Sequence, residues 1–598
     1  MKYANMRRSL SEFEPLKPAE TSLLKNSKSG TLAVISESRP ENQNLDNTIR
    51  AEFLRFIALG GDEHNYIHEK GLFLKGAWIE GDVDFVGTNL PQSLGLINCH
   101  IGEVNLRYCQ IKGFLGLQGC FVESIDGDSL RCSGDIFLNE GFISSGTVRF
   151  CDAQINGCLD CKNATFFGNF NNQGNTEVLS LACENASIGN VFLNNEFSAH
   201  GTVNLAGVQI RGNLICDGGK FNSMFGVALN CRSAAVKGNI ELTNGLEAHG
   251  QVCLSGSKIG NLKLDRINLE SLMDKYAFRA ESMEVNGIFS ISRLNIKKGY
   301  VSLMGSRAAL LEDDLDSWPK GSLLLDGFVY TKFAGSAPTS AEHRLIWLHK
   351  QIPDHLGTSN KGKDFRPQPW RQLQKVLLEM GHNEDMKKIG ISFEKHRRKE
   401  KLISCNSNWL YKKIITIFHW LYGFLIDYGY RPLRLLAISI CVWIFCGGCY
   451  FYSAYHDVFA PSNPSIFQNA DYDVCKSDNK KAIFELEKTE LSRTSCVEPP
   501  PVQGAGNWYL CSKLRAEYTT FSPFAYSLDV ILPFVDLQQE SDWAPMTPTP
   551  DTLPMREFFS FDEKHGIRFL IWVEILYGWI ASLLMVAVVS GSIKNKMD

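Results

Sequence analysis

Residues 199–216 read "AHGTVNLAGVQIRGNLIC", residues 144–161 read "SSGTVRFCDAQINGCLDC", and residues 248–264 read "AHGQVCLSGSKIGNLKL". The three share one grammar: a glycine, a short run in which apolar and other residues alternate, a β-branched or similar apolar residue, and another glycine. Gly134, Gly146, Gly157, Gly189, Gly201, Gly212, Gly238, Gly250, Gly260, Gly287 and Gly299 each open such a run, among them "GDIFL", "GNVFL", "GNIEL" and "GYVSL". Alternation over four or five positions is the period of a strand with one buried face. Runs this short, separated by turn residues at intervals of about 11, cannot form an open sheet of long strands and fit the coils of a parallel β-solenoid. Ile79, Ile101, Ile111, Ile155, Ile188, Ile210, Val236, Ile259 and Val285 precede a glycine by one or two positions. They are expected on an inward ladder, with the glycines turning the coil corners at positive φ.

Working outward, a stack of coils exposes unpaired edges at both ends and needs caps. "NTIRAEFLRFIALGG" supplies one, a helix expected within 46–61 with Ile49, Phe53, Leu54, Phe56 and Ile57 on one broad face and Gly60 and Gly61 as its stop. Residues 1–45, rich in Ser, Glu, Lys and Asn, are expected to be a disordered tail, and the solenoid is expected to fill 62–330. From 331 to 432 the period turns helical. "SAEHRLIWLHKQI" is amphipathic with Ser340 as a cap, and "PWRQLQKVLLEMGHNEDMKKIGISFEKHRRKEK" starts at Pro369, stops at Gly381 and restarts at Glu384 and Asp385, a helical hairpin.

Two segments then set the location. Residues 433–455 include "LLAISICVWIFCGGCYFYSAY", without a charge, and residues 569–593, "FLIWVEILYGWIASLLMVAVVSGSI", carry Glu574 alone. Each is long enough to cross about 30 Å of hydrocarbon as a helix. Basic residues precede the first and follow the second, so both termini, including the tail 594–598, are expected in the cytoplasm and the loop 456–568 outside. No apolar run of signal-peptide length follows the basic residues near the N-terminus, in keeping with a cytoplasmic solenoid. The fold class expected is therefore mainly β: a cytoplasmic parallel β-solenoid, a basic helical linker and hairpin, and two transmembrane helices flanking an acidic extracytoplasmic loop domain.

The chain of 598 residues has a net charge of -4, with a net acidic stretch over 61–330 and a net basic one over 331–432. Lys395, Arg397, Arg398, Lys399, Lys412, Lys413, Arg431 and Arg434 are candidates for contact with anionic lipid at the inner leaflet. Nucleic acid would compete for such a patch, but it contains Trp409 and Tyr411 and precedes a span, so lipid is the simpler partner. Eleven of the 18 cysteines lie between Cys99 and Cys253 at apolar positions, where a reduced thiol behaves as a small hydrophobe. Cys158 and Cys161 form a CxxC without a second pair at zinc spacing. In the outer loop, two of Cys475, Cys496 and Cys511 can pair, and the sequence does not say which.

The order "IRAEFLRFIALGG", "KGLFLKGAWIEGDVDF", "QPWRQLQKVLLEMGHNEDMKKIGI", "DYGYRPLRLL" and "FSPFAYSLDVILPFVDLQQESDWAP" resembles that of bacterial membrane-anchored, pentapeptide-like β-helix proteins, over about 45–598. "GYRPLR" and "YSLDVILPFVDLQQESDW" are the most specific segments. Members of this family are often labelled membrane-associated oxidoreductases, and the resemblance implies that label. The residues supply no mechanism for it: no GxGxxG opens a helix in a βαβ unit, no CxxCH is present, and GxSxG, HExxH and P-loop motifs are missing. No cofactor and no metal site are expected. Cys446 and Cys449 in "FCGGCY" are the best redox candidates, although small residues in a span usually serve helix packing.

The membrane part raises a rival reading. Glu574 lies inside the second span, and Asp529 and Asp536, seven apart, would share a face if 527–537 were helical despite Pro533. Two spans with a short apolar segment between them outline a pore subunit, and rings of these acids in an oligomer would favour cations. The leading expectation is a non-enzymatic bacterial inner-membrane protein whose solenoid binds a protein partner or assembles with copies of itself, with a homo-oligomer expected and no nucleic acid. An ion channel or membrane-permeabilising effector and a membrane-associated oxidoreductase are the alternatives.

Overall fold

The computed structural model describes residues 9–168, 178–271, 275–359, 364–403, 409–476, 503–514, 518–546 and 563–589. It divides into two compact units, Met1–Leu402 and Ile403–Asp598.

The first unit is a solenoid of short parallel strands making about 11 turns. Two of the 11-residue periods seen in the sequence make one coil. One inward ladder runs Leu90, Ile111, Cys132, Ile155, Ile188, Ile210, Val236, Ile259, Val285, Ala308 and Tyr330, each paired with the next. Ile79 and Ile101 face inward as well but belong to a different ladder, which Ile101 continues to Val122. These rungs are buried, so each coil removes from water the face that its neighbour leaves open.

The glycines work differently from the expectation. Gly134, Gly157, Gly189, Gly212, Gly238, Gly260 and Gly287 do not have positive φ, whereas Gly201, Gly250 and Gly299 do, at +138°, +134° and +108°. Left-handed corners fall instead at Ser129, Asp152, Asn185, Gly207, Ser233 and Gly256, with φ between +55° and +70°. The first set makes room. Asp135 Oδ1 accepts Cys158 N–H at 2.7 Å, Asn190 Oδ1 accepts Asn213 N–H at 2.8 Å, Asn213 Oδ1 accepts Asn239 N–H at 2.8 Å, and Asn261 Oδ1 accepts Ile288 N–H at 2.8 Å. A Cβ on the glycine one coil later would stand 2.0 to 2.3 Å from that oxygen, at Gly157, Gly212, Gly238 and Gly287. Recurring Gly-Asp and Gly-Asn pairs are therefore a polar ladder in which each glycine accommodates the side chain of the coil before it.

The N-terminal end is closed by more than the expected helix. Helix α1 (Pro18–Ser29), a strand Ala33–Val34 on Leu74–Lys75, a strand Thr48–Arg50 on Trp78–Glu80 and helix α2 (Ala51–Ala58) together cover the first coil. Residues 9–45 are thus structured, contrary to the expected disordered tail. Phe13, Leu23 and Ala33 are buried among the polar residues, and buried Glu20 accepts three bonds from Arg50, two from the guanidinium at 2.8 and 2.7 Å and one from the backbone N–H at 3.0 Å. The cap helix is shorter than 46–61 because 48–50 extend the sheet.

At the other end lie α3 (Ala341–Leu348), α4 (Pro353–Leu356), α5 (Gln368–Glu379) and α6 (Asn383–Lys399), with α5 and α6 forming the expected hairpin around Gly381. Gln368 and Gln372 on α5 bond the backbone of Gly327, Phe328 and Tyr330, replacing the strand that the last coil lacks. Arg344 and Asp313, each 1 % exposed at the side chain, form a two-point ion pair at 2.8 and 2.7 Å, and Trp318 Nε1 donates to the same carboxylate at 2.7 Å.

The second unit contains α7 (Trp409–Ile426), α8 (Leu433–Tyr455), α9 (Pro523–Ile531) and α10 (Glu563–Val589). α8 and α10 are long and apolar enough to cross a membrane, each with mean hydropathy 2.0. Between them a small aromatic core of Phe459, Trp508, Phe521, Tyr526 and Trp543 is tied by an antiparallel strand pair, Phe459–Pro461 with Trp543–Pro545, and by a disulfide between Cys475 and Cys511. Cys496 lies outside the described residues.

Candidate functional site

α9 starts with Ser522 at its cap position and Pro523 in its first turn, and it ends two residues before Pro533, which cannot continue a helix. The helix therefore does not reach Leu537, and Asp529 and Asp536 do not share a helical face. α9 packs against both α8 and α10. Two glycines admit it: a Cβ on Gly447 of α8 would stand 2.5 Å from Phe524, and one on Gly578 of α10 would stand 2.4 Å from the Ile531 carbonyl. Trp443 Nε1 on α8 donates to the Phe524 carbonyl at 2.8 Å.

Glu574 sits where the three helices meet. It is 1 % exposed, accepts Tyr450 OH of α8 and Ser527 Oγ of α9 at 2.5 Å each, and has the Cys446 thiol within reach. A buried carboxylate with two hydroxyl donors from two other helices is a polar node that fixes their mutual register. Its partners, Tyr450 and Ser527, were missing from the sequence reading. Nothing in spacing alone connects residues 450, 527 and 574.

Asp529 is also occupied. Its carboxylate accepts Leu537, Gln539 and Glu540 N–H at 2.7, 2.9 and 2.9 Å, holding the chain as it reverses after Pro533. Asp536 is exposed and bonds Gln538 N–H at 2.8 Å. These two acids and Glu540 border one open cleft with Phe534 and Trp579, and burial together with Asp529 and Asp536 raises the Glu540 carboxyl above its ordinary value. The three residues singled out for a pore thus divide into a helix lock, a turn lock and one exposed acid.

Cys446 and Cys449 are free thiols on α8, Cys446 buried and Cys449 partly so. Of the solenoid cysteines all but Cys158 are buried, and burial pushes the Cys132 and Cys151 thiols up to about 11 each. Such thiols stay protonated, which disfavours thiolate chemistry there. Among the described residues no three His, Cys, Asp or Glu side chains gather as a metal site.

The basic candidates fall in both units. Lys395, Arg397, Arg398 and Lys399 lie on the last turns of α6, with Arg397 paired to Glu394 at 3.1 Å. Lys412 and Lys413 are exposed on α7, Arg431 lies between α7 and α8, and Arg434 on α8 pairs with Asp427 at 2.7 Å. Comparison with family models, with curated proteins and with solved structures returns no match.

Proposed function

We propose that this is a non-enzymatic scaffold of the bacterial inner membrane, in which α8 and α10 anchor a cytoplasmic solenoid whose lateral faces bind a protein partner or like subunits. Membership of the membrane-anchored, pentapeptide-like β-helix family belongs to the same proposal. The observation that carries it is that both ends of the solenoid are covered while its interior is apolar, so its sides are the surface left to offer. The partly buried stack of Trp78, His100 and Phe121, with ring centroids 3.6 and 4.8 Å apart, is one such side. The α8–α9–α10 cluster spends Glu574 and Asp529 on internal bonds, which favours an anchor over a conducting path.

The test uses the full chain reconstituted in vesicles. An impermeant thiol reagent should reach Asp473→Cys, 51 % exposed at its side chain beside the Cys475–Cys511 disulfide, from one side, and Lys258→Cys on the solenoid surface, 71 % exposed at its side chain, from the other. Labelling of both from the same side refutes the topology. Steady conductance that Asp536→Asn abolishes would replace the scaffold by a channel. Absorbance between about 350 and 600 nm in the purified protein would restore the oxidoreductase reading.

A further inference from the structure

α7 has no role in the two-span reading, yet like the two spans it exposes a row of large apolar side chains. Leu410, Ile414, Ile417 and Phe418, at i, i+4, i+7 and i+8, are each more than half exposed. Lys412, Thr416, His419 and Gly423 follow one another on the opposite stripe, flanked by Lys413. A helix with a broad aromatic and aliphatic arc and a narrow polar stripe carrying Lys412, with Lys413 beside it, suits the boundary between acyl chains and headgroups.

Its junction with α8 is built. Asp427, Tyr428 and Gly429 all have positive φ, +47°, +60° and +93°, which reverses the chain sharply. The Tyr428 ring covers Gly423, where a Cβ would stand 2.4 Å from it, and Asp427 is clamped to Arg434 at 2.7 Å. The "DYGYRPLR" segment is thus an elbow with a fixed angle. Beyond it, Leu425 and Ile426 pack on Leu435 in the first turn of α8 and on Ile580 and Leu584 in the C-terminal half of α10. Farther along, α7 and α10 part around an apolar cleft of about 400 Å³ bordered by Ile415, Phe418, Ile580 and Leu584.

We infer that α7 is an in-plane membrane helix, embedded in the anionic leaflet at the N-terminal end of α8, with its apolar arc and the cleft beside α10 filled by phospholipid acyl chains and Lys412 and Lys413 at the phosphates. The occupant follows from continuity of this apolar surface with the two spans and from the sign of its polar stripe. The inference rests on the anchor reading of α8 and α10 and adds a third membrane element to it.

The test reconstitutes the full chain in vesicles of phosphatidylcholine with or without phosphatidylglycerol, labels it with a carbene probe that partitions into acyl chains, and maps the labels by mass spectrometry. Expected are labels on Leu410, Ile414, Ile417, Phe418 and Phe424, none on Lys412, Lys413 or Thr416, and labels on the exposed residues of α8 and α10. Lys412→Gln/Lys413→Gln should lower the partition of α7 into phosphatidylglycerol vesicles by roughly thirtyfold, the equivalent of about 2 kcal/mol for two charges, and leave α8 and α10 unchanged. An unlabelled α7 beside labelled α8 and α10 overturns the inference and spares the anchor. Crosslinks between copies through Phe418 in place of lipid labels assign the arc to a second copy and overturn it too. Labelling all round α7, with Lys258→Cys and the Cys475–Cys511 loop accessible from one side, makes α7 a third span and also overturns it. Absence of labels from α8 and α10 removes the anchor itself.

Discussion

Replacing Gly212 by alanine asks whether the solenoid glycines are there for backbone freedom or for space. Gly212 does not have positive φ, so the backbone tolerates alanine, and loss of chain entropy in the unfolded state would favour the variant by about 0.4–1 kcal/mol. Against this, the new Cβ would stand 2.0 Å from Asn190 Oδ1, the acceptor that holds Asn213 N–H at 2.8 Å. Overpacking costs about 1–3 kcal/mol and the amide left without its acceptor, at this partly exposed position, another 1–2, so after the entropy gain the single variant should lose about 1–4.5 kcal/mol. Asn190→Ala alone loses the acceptor without the clash, about 1–2 kcal/mol for this partly exposed position. In Asn190→Ala/Gly212→Ala the clash has no partner and the bond is already gone, so the double variant should cost only about 1 kcal/mol. The coupling, the sum of the two single costs less that of the double variant, is about 1–5.5 kcal/mol, centred near the upper end of the range seen for residues in contact. Native-state hydrogen exchange of the coil around Asn213 and Leu214, measured in the full chain in detergent, reads this locally, which suits a stack whose stability is a sum over neighbouring coils. Strictly additive costs for the two single variants would falsify the spacer role and return the glycines to the corner-turning one.

The remaining predictions concern the caps and the helix node. Arg344→Met strands the Asp313 carboxylate in the C-terminal cap and should destabilise the first unit by about 3–5 kcal/mol, seen as a lower thermal midpoint; a loss below about 1 kcal/mol would show that the pair is solvated. Burial holds His355 and His396 below the ordinary imidazole value, so the unfolded chain binds protons that the folded one resists. Stability conferred by that cap should be intact above pH about 7 and fall as the pH drops through about 6.5; His355→Asn/His396→Asn should flatten the slope, and an unchanged slope counts against the assignment. Glu574→Gln keeps an acceptor for Tyr450 and Ser527 and should be mild, whereas Glu574→Leu leaves two buried hydroxyls unpaired at about 1–3 kcal/mol each and should open 523–538 to protease in detergent. Equal protection in both variants would show that packing at Gly447 and Gly578 alone holds α9.

The solenoid and both long helices were legible because their signals are periodic. Alternation at Val203 and Leu205, at Val208 and Ile210 or at Leu262 and Leu264 marks an inward face, and the charge-free run from Leu435 to Tyr455 needs no partner to be recognised. What sequence period does not reveal is the occupant of the neighbouring space. Gly212 looks like a corner residue until Asn190 of the preceding coil is beside it. Residues 9–45 read as a polar tail because Phe13, Leu23 and Ala33 are too far apart to form a pattern, and Glu20 becomes buriable only once Arg50 is brought to it from another element. Pro533 correctly warned against a helix to Leu537, and the pairing of Asp529 with the amides of 537–540 accounts for the reversal there.

The two segments that stand out most in the sequence, "GYRPLR" and "YSLDVILPFVDLQQESDW", coincide with the two places where helices of the second unit meet at imposed angles. In the first, Gly423 receives the Tyr428 ring and Arg434 clamps Asp427; in the second, Gly447 receives Phe524, Gly578 receives the Ile531 carbonyl, and Asp529 gathers three amides. A lipid-facing surface accepts most apolar side chains, so it constrains sequence weakly. A junction in which one element presents a glycine and the other a ring or a carbonyl admits few alternatives, because any Cβ meets an atom at about 2.5 Å. These segments therefore form joints between helices, and Glu574, which bonds α8 and α9 from α10, is part of the second. A conserving change such as Tyr428→Phe keeps the ring over Gly423 and should leave the elbow intact, while Gly423→Ala should displace α7 without moving α8 or α10.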